Sequence, residues 1–182
     1  MTSVSVVVPY RGQPDFMNDE LRQPARDAAL EFVRNWWREH YPEWDFCVGY
    51  LPSTKPWVKA TAVGRAIAAA TGDLLVVSDA DVLCPGVGQA VAAVTHGSVQ
   101  WAIPHYRVHR LTAEATEKVL AGGPLPPDPG PHSIPPDRTA VFESYKGTAG
   151  GGLVVLSRAL YDRVPMDPRF VGWGQEDYAW GL

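Results

Sequence analysis

The stretch Thr71–Pro85, TGDLLVVSDADVLCP, indicates how the rest of the chain folds around it. Gly72 ends a preceding helical pattern, and Leu74–Val77 is an apolar run of strand length, too short to cross a membrane. Asp79 and Asp81 follow this run, and two carboxylates at the end of a buried strand must be solvated, paired or bound to a cation. The stretch therefore predicts a buried strand of an α/β sheet with an acidic turn at its carboxyl end.

The acidic pair Asp79 and Asp81 has two interpretations. The carboxyl end of a strand is where open α/β sheets bind ligands, and hard oxygen ligands suit Mg²⁺ or Mn²⁺ together with a diphosphate. The alternative is a strand that runs into an ordinary, solvated acidic turn. Two aspartates separated by one residue do not decide between these alternatives, so the decision depends on motifs elsewhere in the chain.

Composition indicates a globular protein with one hydrophobic core. The 182 residues suffice for a single domain spanning residues 1–182, and contents of 46% hydrophobic and 20% charged residues are ordinary. A net charge of −4 without a run of Lys or Arg argues against a nucleic-acid partner. The sequence shows no secretory signal pattern and no apolar run of membrane-spanning length, so we expect a cytoplasmic protein without a membrane span.

Alternating strand and helix patterns predict an α/β domain with a mostly parallel central sheet flanked by helices. Strand patterns cover Val4–Val8, Asp45–Tyr50, Leu74–Val77, Ser98–Ile103, Thr139–Tyr145 and Leu153–Leu156. Helical patterns cover Asp19–His40, Trp57–Ala70, Gly86–His96, Thr112–Leu120 with Thr112 as a cap, and a short helix from its cap Ser157 to Arg163. Residues 121–138, crowded with Pro and Gly, are expected to form a flexible loop that is either a lid or a plain insertion.

Two further regions contain candidate ligand contacts. The first strand is expected to end at Pro9 and to leave through a loop that contains Tyr10 and Arg11, at the edge where α/β proteins bind ligands. Arg11 would contact a phosphate or stack on a base, or else be a surface arginine in a turn. Lys59, near the start of a helix, is either a phosphate contact or a solvated charge.

A second acidic pair, Glu176 and Asp177, follows the glycine-flanked Trp173. Gly172 and Gly174 permit unusual backbone angles and close approach, and a tryptophan between them is suited to cover one face of a sugar ring. An adjacent carboxylate is suited to accept a hydroxyl proton as a general base. One acidic pair for a metal diphosphate and another for an acceptor hydroxyl are the parts that glycosyl transfer from a nucleotide sugar requires.

Together these motifs resemble those of glycosyltransferases with the GT-A fold, in particular the family 2 and β-1,4-galactosyltransferase groups. The matching segments are VVVPYRG, KATAVGRAIAAATGDLLVVSDADV and GGLVVLSRALYDRVPMDPRFVGWGQED, which cover most of the chain apart from the Pro-rich segment. The resemblance implies a Rossmann-like GT-A domain and a hexosyltransferase-like enzyme. Such an enzyme transfers a sugar, with inversion, from a nucleoside-diphosphate sugar, with a UDP-sugar favoured, to a hydroxyl group of a carbohydrate or another acceptor.

The resemblance also implies a role for each matched residue. Contacts with the donor nucleotide are implied for Pro9, Tyr10, Arg11, Lys59, Asp79 and Asp81. Asp81, together with Asp79, would bind Mn²⁺ or Mg²⁺. The acceptor would contact Trp173, Gly174 and Glu176. Asp177 would be the catalytic general base.

Departures from the family pattern leave alternatives open. Tyr178 follows Asp177 where galactosyltransferases often have a further Asp, so we expect a different acceptor. The family typically has a His metal ligand later in the chain, whereas this sequence ends at Leu182, so we expect a truncated or minimal form, or a metal held by Asp81, donor phosphates and water. The alternative functions are a non-catalytic protein that binds a nucleotide sugar or glycan, a nucleotidyltransferase on a similar frame, and a structural or interaction protein.

Overall fold

Strands and helices alternate along the residues that the structure describes. The structure, a computed structural model, describes residues 2–12, 23–52, 55–105, 108–126, 152–172 and 176–180. Its strands are β1 (Val4–Gly12), β2 (Asp45–Pro52), β3 (Leu74–Ser78), β4 (Trp101–Ala102) and β5 (Leu153–Ser157). Its helices are α1 (Gln23–His40), α2 (Lys59–Ala69), α3 (Val87–Thr95), α4 (Ala113–Leu120), α5 (Arg158–Arg163) and α6 (Glu176–Trp180).

These strands form one sheet in the order β2-β1-β3-β5-β4. β1 pairs in parallel with β2 and β3, as the sequence predicts, but β5 is antiparallel to both β3 and β4. The sheet is therefore mixed, and the prediction of a mostly parallel sheet holds only near its centre. The reason is where the chain enters β5: the Asp79 amide, at the carboxyl end of β3, donates to the Gly152 carbonyl at 2.8 Å. A strand that begins at this end of the sheet must run in the opposite direction to β3.

Alternate residues of the central strands pack against helices on the two faces of the sheet. On one face Val6 and Val76 pack with α1 and α3, and on the other Val7 and Val77 pack with α2 and α5. All four side chains are at most 5% exposed. This three-layer arrangement confirms an α/β fold in which helices flank the sheet.

Two strand boundaries differ from the prediction. β1 does not end at Pro9 but continues to Gly12, and Pro9 lies opposite Gly49 in the ladder with β2. The proline is tolerated because β1 pairs with β3 only as far as Val7, so among the described residues the remainder of β1 is paired on one side and behaves as an edge strand. β4 is shorter than the predicted range 98–103, because only two of its residues pair with β5.

Some expectations fall on residues that the structure does not describe. These are the predicted strand 139–145 and residues 127–138 of the Pro- and Gly-rich segment. The helix boundaries agree with the prediction to within two residues wherever the predicted boundary lies in the described ranges. None of the helices in these ranges has the length and apolar character that a membrane span requires.

Gly49 of β2 allows α2 to lie directly against the sheet. A Cβ atom at this position would lie 1.8 Å from the carbonyl oxygen of Ala62 and 2.8 Å from the amide nitrogen of Ala66. Both are backbone atoms of α2, so a side chain at position 49 has no space. The contact therefore fixes the height of α2 above the sheet, and with it the position of Lys59, the first residue of the helix.

The predicted caps of α4 and α5 are confirmed. The side chain of Thr112 accepts a hydrogen bond from the Ala115 amide at 3.2 Å, and that of Ser157 accepts one from the Leu160 amide at 3.1 Å. Each bond satisfies an amide that has no partner within its helix.

Loss of the Thr112 cap is expected to cost a measurable part of the stability. Thr112→Ala should lower the free energy of unfolding by about 1 kcal/mol, because the Ala115 amide loses its acceptor. Thermal or urea unfolding measures the change. The control Thr112→Ser keeps the hydroxyl, and equal losses in both variants would contradict the capping role.

Candidate active site

The two acidic motifs of the sequence meet at the carboxyl end of β3. Asp79 follows the last residue of that strand, and Asp177 lies in the first turn of α6. The Nζ atom of Lys59 lies between them, 2.8 Å from Oδ1 of Asp79 and 2.8 and 3.1 Å from Oδ1 and Oδ2 of Asp177. The carboxylates of Asp79 and Asp177 therefore lie close together, because both contact the same ammonium group.

The spacing of apolar residues in α2 explains why Lys59 points inward. The buried residues of the helix are Lys59, Ala62, Val63, Ala66 and Ile67, which recur at i, i+3, i+4, i+7 and i+8 and share one face. Because this face packs on the sheet, the lysine side chain is only 6% exposed. The pairing of Lys59 with carboxylates was not among the expectations from the sequence, which were a phosphate contact or a solvated charge. The apolar spacing of this helix did indicate such a pairing, because a lysine within a buried stripe needs carboxylate partners.

Neighbouring charges and burial shift the pKa values of the paired groups. Burial lowers the pKa of Lys59, but the ion pairs with Asp79 and Asp177 outweigh this effect, so its pKa lies above the ordinary lysine value. Burial raises the pKa of Asp177; Lys59 opposes the rise, Asp79 and Glu176 reinforce it, and the net direction is upward. Asp177 therefore binds a proton more readily than an exposed aspartate, which brings it closer to the pKa that a general base needs near neutral pH.

Two further carboxyl groups lie beside this ion pair. Asp81 remains accessible to solvent, but the protein around its carboxyl displaces part of the water. This loss of water and the negative charge of Asp79 raise the pKa of Asp81, and the positive charges of Arg26 and Arg110 oppose the rise. Glu176 is 8% exposed, and its Oε2 atom has no hydrogen-bond partner among the described residues. The site thus has an excess of negative charge and a buried acceptor oxygen that a cation or a hydroxyl group would satisfy.

The donor set fits a divalent cation that is held in large part by its substrate. In the described ranges, no group of three or more His, Cys, Asp or Glu side chains could hold a metal ion. Mg²⁺ is typically bound by one or two carboxylates together with substrate phosphates, and carboxylate oxygens suit Mn²⁺ equally. Asp79 and Asp81 match that requirement, and their binding of Mn²⁺ or Mg²⁺ stays a prediction.

Hydrogen bonds on both sides of α6 hold it at the site. Before the helix, the Gly172 amide donates to the Trp57 carbonyl at 2.8 Å, which ties this segment to the residues preceding α2. Gly172 has a φ of 97°, a backbone conformation that glycine adopts readily. At the other end, Nε1 of Trp180 donates to the Val164 carbonyl at 2.8 Å. These contacts keep the first turn of α6 beside Lys59.

The residues of the predicted nucleotide loop lie in β1 instead. Pro9 and Tyr10 are buried, and the Tyr10 hydroxyl donates to the Asp27 carboxylate of α1. Arg11 is 8% exposed, and its Nη2 donates to the Lys55 carbonyl at 2.8 Å. The prediction of a loop that begins at Pro9 is wrong, because the strand continues past the proline to Gly12. Contact of these residues with a nucleotide stays a prediction.

Five of the residues singled out in the sequence lie together at this end of the sheet. We call them the carboxylate–lysine cluster: Lys59, Asp79, Asp81, Glu176 and Asp177. The two other predicted acceptor contacts, Trp173 and Gly174, lie outside the described residues.

No protein-family model matches the chain, and no curated protein matches it.

Proposed function

We propose that the protein is a metal-dependent, inverting glycosyltransferase of the GT-A type. It would move a sugar from a nucleoside-diphosphate sugar, with a UDP-sugar favoured, to a hydroxyl group of a carbohydrate or another acceptor. The observation that carries the proposal is the contact of one ammonium, that of Lys59, with both Asp79 and Asp177. This contact joins an acidic pair suited to a metal diphosphate with a candidate general base, at the end of a strand where α/β sheets bind ligands.

In the proposed reaction, Asp177 accepts the proton of the acceptor hydroxyl as that oxygen attacks the anomeric carbon of the donor. The bond from this carbon to the diphosphate oxygen breaks, its electron pair leaves with the nucleoside diphosphate, and attack from the opposite face inverts the configuration. Glu176, whose Oε2 has no hydrogen-bond partner among the described residues, would accept a hydrogen bond from a second acceptor hydroxyl. Asp79 and Asp81 would hold Mn²⁺ or Mg²⁺, which when bound neutralises negative charge on the leaving diphosphate.

The surroundings of Asp79 and Asp81 favour this proposal over an ordinary solvated acidic turn. Asp79 forms an ion pair with a buried lysine, and the carboxyl of Asp81 has a raised pKa although it remains accessible from solvent. An accessible carboxylate that is partly stripped of water gains from binding a cation. A surface turn without a ligand has no need of either feature.

Metal-dependent nucleotide binding is the first result that the proposal predicts. In thermal unfolding with Mn²⁺ and UDP, GDP, dTDP or CDP, one nucleotide at about 100 times its dissociation constant should add about 2.7 kcal/mol, an increase in Tm of several degrees. Asp81→Ala should abolish this shift, because the cation loses a carboxylate ligand. Removal of Mn²⁺ with a chelator should abolish it as well.

The matched control is Asp162→Ala, which removes an exposed aspartate from α5 and should leave the shift unchanged. A shift that persists in Asp81→Ala would contradict the role of Asp81 in metal binding. The absence of a shift with any nucleotide would overturn the donor site. Nucleotide binding without release of nucleoside diphosphate from a donor sugar would favour the non-catalytic binding protein over the enzyme.

A further inference from the structure

Lys59 lies between two carboxylates that act on different substrates in the proposed reaction. Its Nζ contacts Oδ1 and Oδ2 of Asp177 at 2.8 and 3.1 Å and Oδ1 of Asp79 at 2.8 Å. An ammonium group has three N–H donors, and the three oxygens match that number. We infer that Lys59 is a positioning residue for Asp177: it fixes the orientation of the base and its distance from the donor site. This inference rests on the proposed function.

Contact with both oxygens restrains Asp177 more than a single contact would. A carboxylate that meets a cation through one oxygen is free to rotate about its terminal bond, whereas two hydrogen bonds to the same group hold its plane. Holding a proton acceptor in the reactive orientation increases the reaction rate, because displacement of a catalytic group by about 1 Å lowers the rate about a hundredfold. The lysine therefore affects the reaction through Asp177.

The contacts of Lys59 argue against a main role in binding the donor phosphate. The side chain is 6% exposed, and three carboxylate oxygens already surround its ammonium. A phosphate oxygen would have to displace one of them. Positioning of the base requires no such exchange.

The way α6 is held makes this role testable apart from folding. α6 has five residues, too few to form a stable helix by itself in water. Two hydrogen bonds that do not involve Lys59 hold residues at or near the ends of α6: the bond from the Gly172 amide to the Trp57 carbonyl and the bond from the Trp180 side chain to the Val164 carbonyl. Within the described ranges, the Lys59 contact is the hydrogen bond that reaches the Asp177 carboxylate. Loss of the ammonium should therefore leave α6 in place while repulsion from Asp79 turns the carboxylate away.

The test measures rate and nucleotide affinity separately in the full chain. Lys59→Met keeps an apolar stem of similar length and removes the charge. We expect UDP release from UDP-glucose, UDP-galactose or UDP-N-acetylglucosamine, with water as acceptor, to fall about 10- to 100-fold in kcat. The Kd for UDP is measured by calorimetry at saturating Mn²⁺, because Lys59 also contacts Asp79, a proposed metal ligand. It should change by less than about threefold, because the lysine does not contact the nucleotide itself.

Two further variants complete the design. Lys59→Arg retains a positive charge, so we expect the same separation of rate and affinity with a smaller loss of rate, and this variant preserves the test if Lys59→Met does not fold. Lys118→Met is the matched control, because Lys118 is an exposed lysine of α4 paired only with Glu114 in the described ranges. It should change neither kcat nor Kd.

A loss of rate at unchanged UDP affinity supports Lys59 as the positioning residue. A loss of UDP affinity at unchanged kcat overturns the inference and assigns Lys59 to the phosphate, and unchanged values for both also overturn it. If the wild-type protein neither binds a nucleotide with Mn²⁺ nor releases UDP, the proposed function fails, and the inference fails with it. The wild-type measurement thus reports on the function, and the Lys59 variants report on the inference.

Discussion

Gly49→Ala is expected to destabilise the protein by about 4 kcal/mol or more, enough to leave little folded protein. The added Cβ would lie 1.8 Å from the carbonyl oxygen of Ala62, a backbone atom that has no rotamer through which to move away. α2 would have to rise from the sheet, and its buried stripe would lose contact with β1 and β2. Soluble yield and urea unfolding measure the loss.

Gly64→Ala provides the matched control, because it makes the same chemical change on the exposed side of α2. A Cβ atom at position 64 meets no atom within 4 Å, so alanine should stabilise the helix by about 0.5–1 kcal/mol. If the free energy of unfolding of Gly49→Ala lies within about 1 kcal/mol of the wild-type value, the close contact between α2 and β2 is wrong.

Asp177→Asn is expected to lower the turnover of a nucleotide sugar about 10²- to 10⁴-fold, the range that loss of a general base produces. Asparagine has the shape of aspartate, and its carbonyl oxygen still accepts a hydrogen bond from Lys59, so the arrangement of the site should persist. Binding of UDP with Mn²⁺ should therefore be retained. Release of UDP from the donor sugar measures turnover, and thermal unfolding with UDP and Mn²⁺ measures binding.

The pH dependence of the wild type gives a second measurement of the same role. Asp177 must be ionised to accept a proton, and its pKa is raised by burial and by its acidic neighbours despite the opposing effect of Lys59. Activity should therefore fall on acidification at a higher pH than that at which an exposed aspartate is protonated. The control Asp162→Asn changes an exposed aspartate of α5 and should leave turnover unchanged. Full activity in Asp177→Asn would remove Asp177 from the mechanism.

The elements that the sequence predicts well depend on neighbouring residues. The apolar run of β3 is buried along its whole length, and the Thr112 and Ser157 hydroxyls accept hydrogen bonds from amides three residues later. The information needed for each lies within a few residues of chain. Propensity and spacing are sufficient for such elements.

The direction of β5 and the end of β1 depend on distant pairing. The apolar run Leu153–Leu156 reads equally as a parallel or an antiparallel strand, and the contact between Asp79 and Gly152 that sets its direction joins residues far apart in the chain. A proline ordinarily ends a strand. β1 continues past Pro9 because β3 no longer pairs with β1 at that point.

The candidate site likewise combines features that depend on neighbouring residues with contacts between residues far apart in the chain. The two acidic pairs are visible in the sequence, whereas the contact of Lys59 with both pairs arises from packing of α2 on the sheet. Arg158 illustrates how little of such pairing is local, because its guanidinium donates to the Gly72 and Ala70 carbonyls at 2.9 Å, more than 80 residues earlier in the chain. The residues next to Lys59 and Arg158 in the sequence do not identify these distant partners.

The sharing of Lys59 between two carboxylates has a consequence for the order in which a ribosome builds the site. Asp177 is synthesised 118 residues after Lys59, which at about 5–20 residues per second takes on the order of ten seconds. For most of this interval, once Asp79 has been added 20 residues after Lys59, the nascent chain contains β1, β2 and β3, and the ammonium has Asp79 but not Asp177 as a partner. The emerging protein is therefore expected to acquire the acidic pair proposed to bind the metal diphosphate before it acquires the proposed general base.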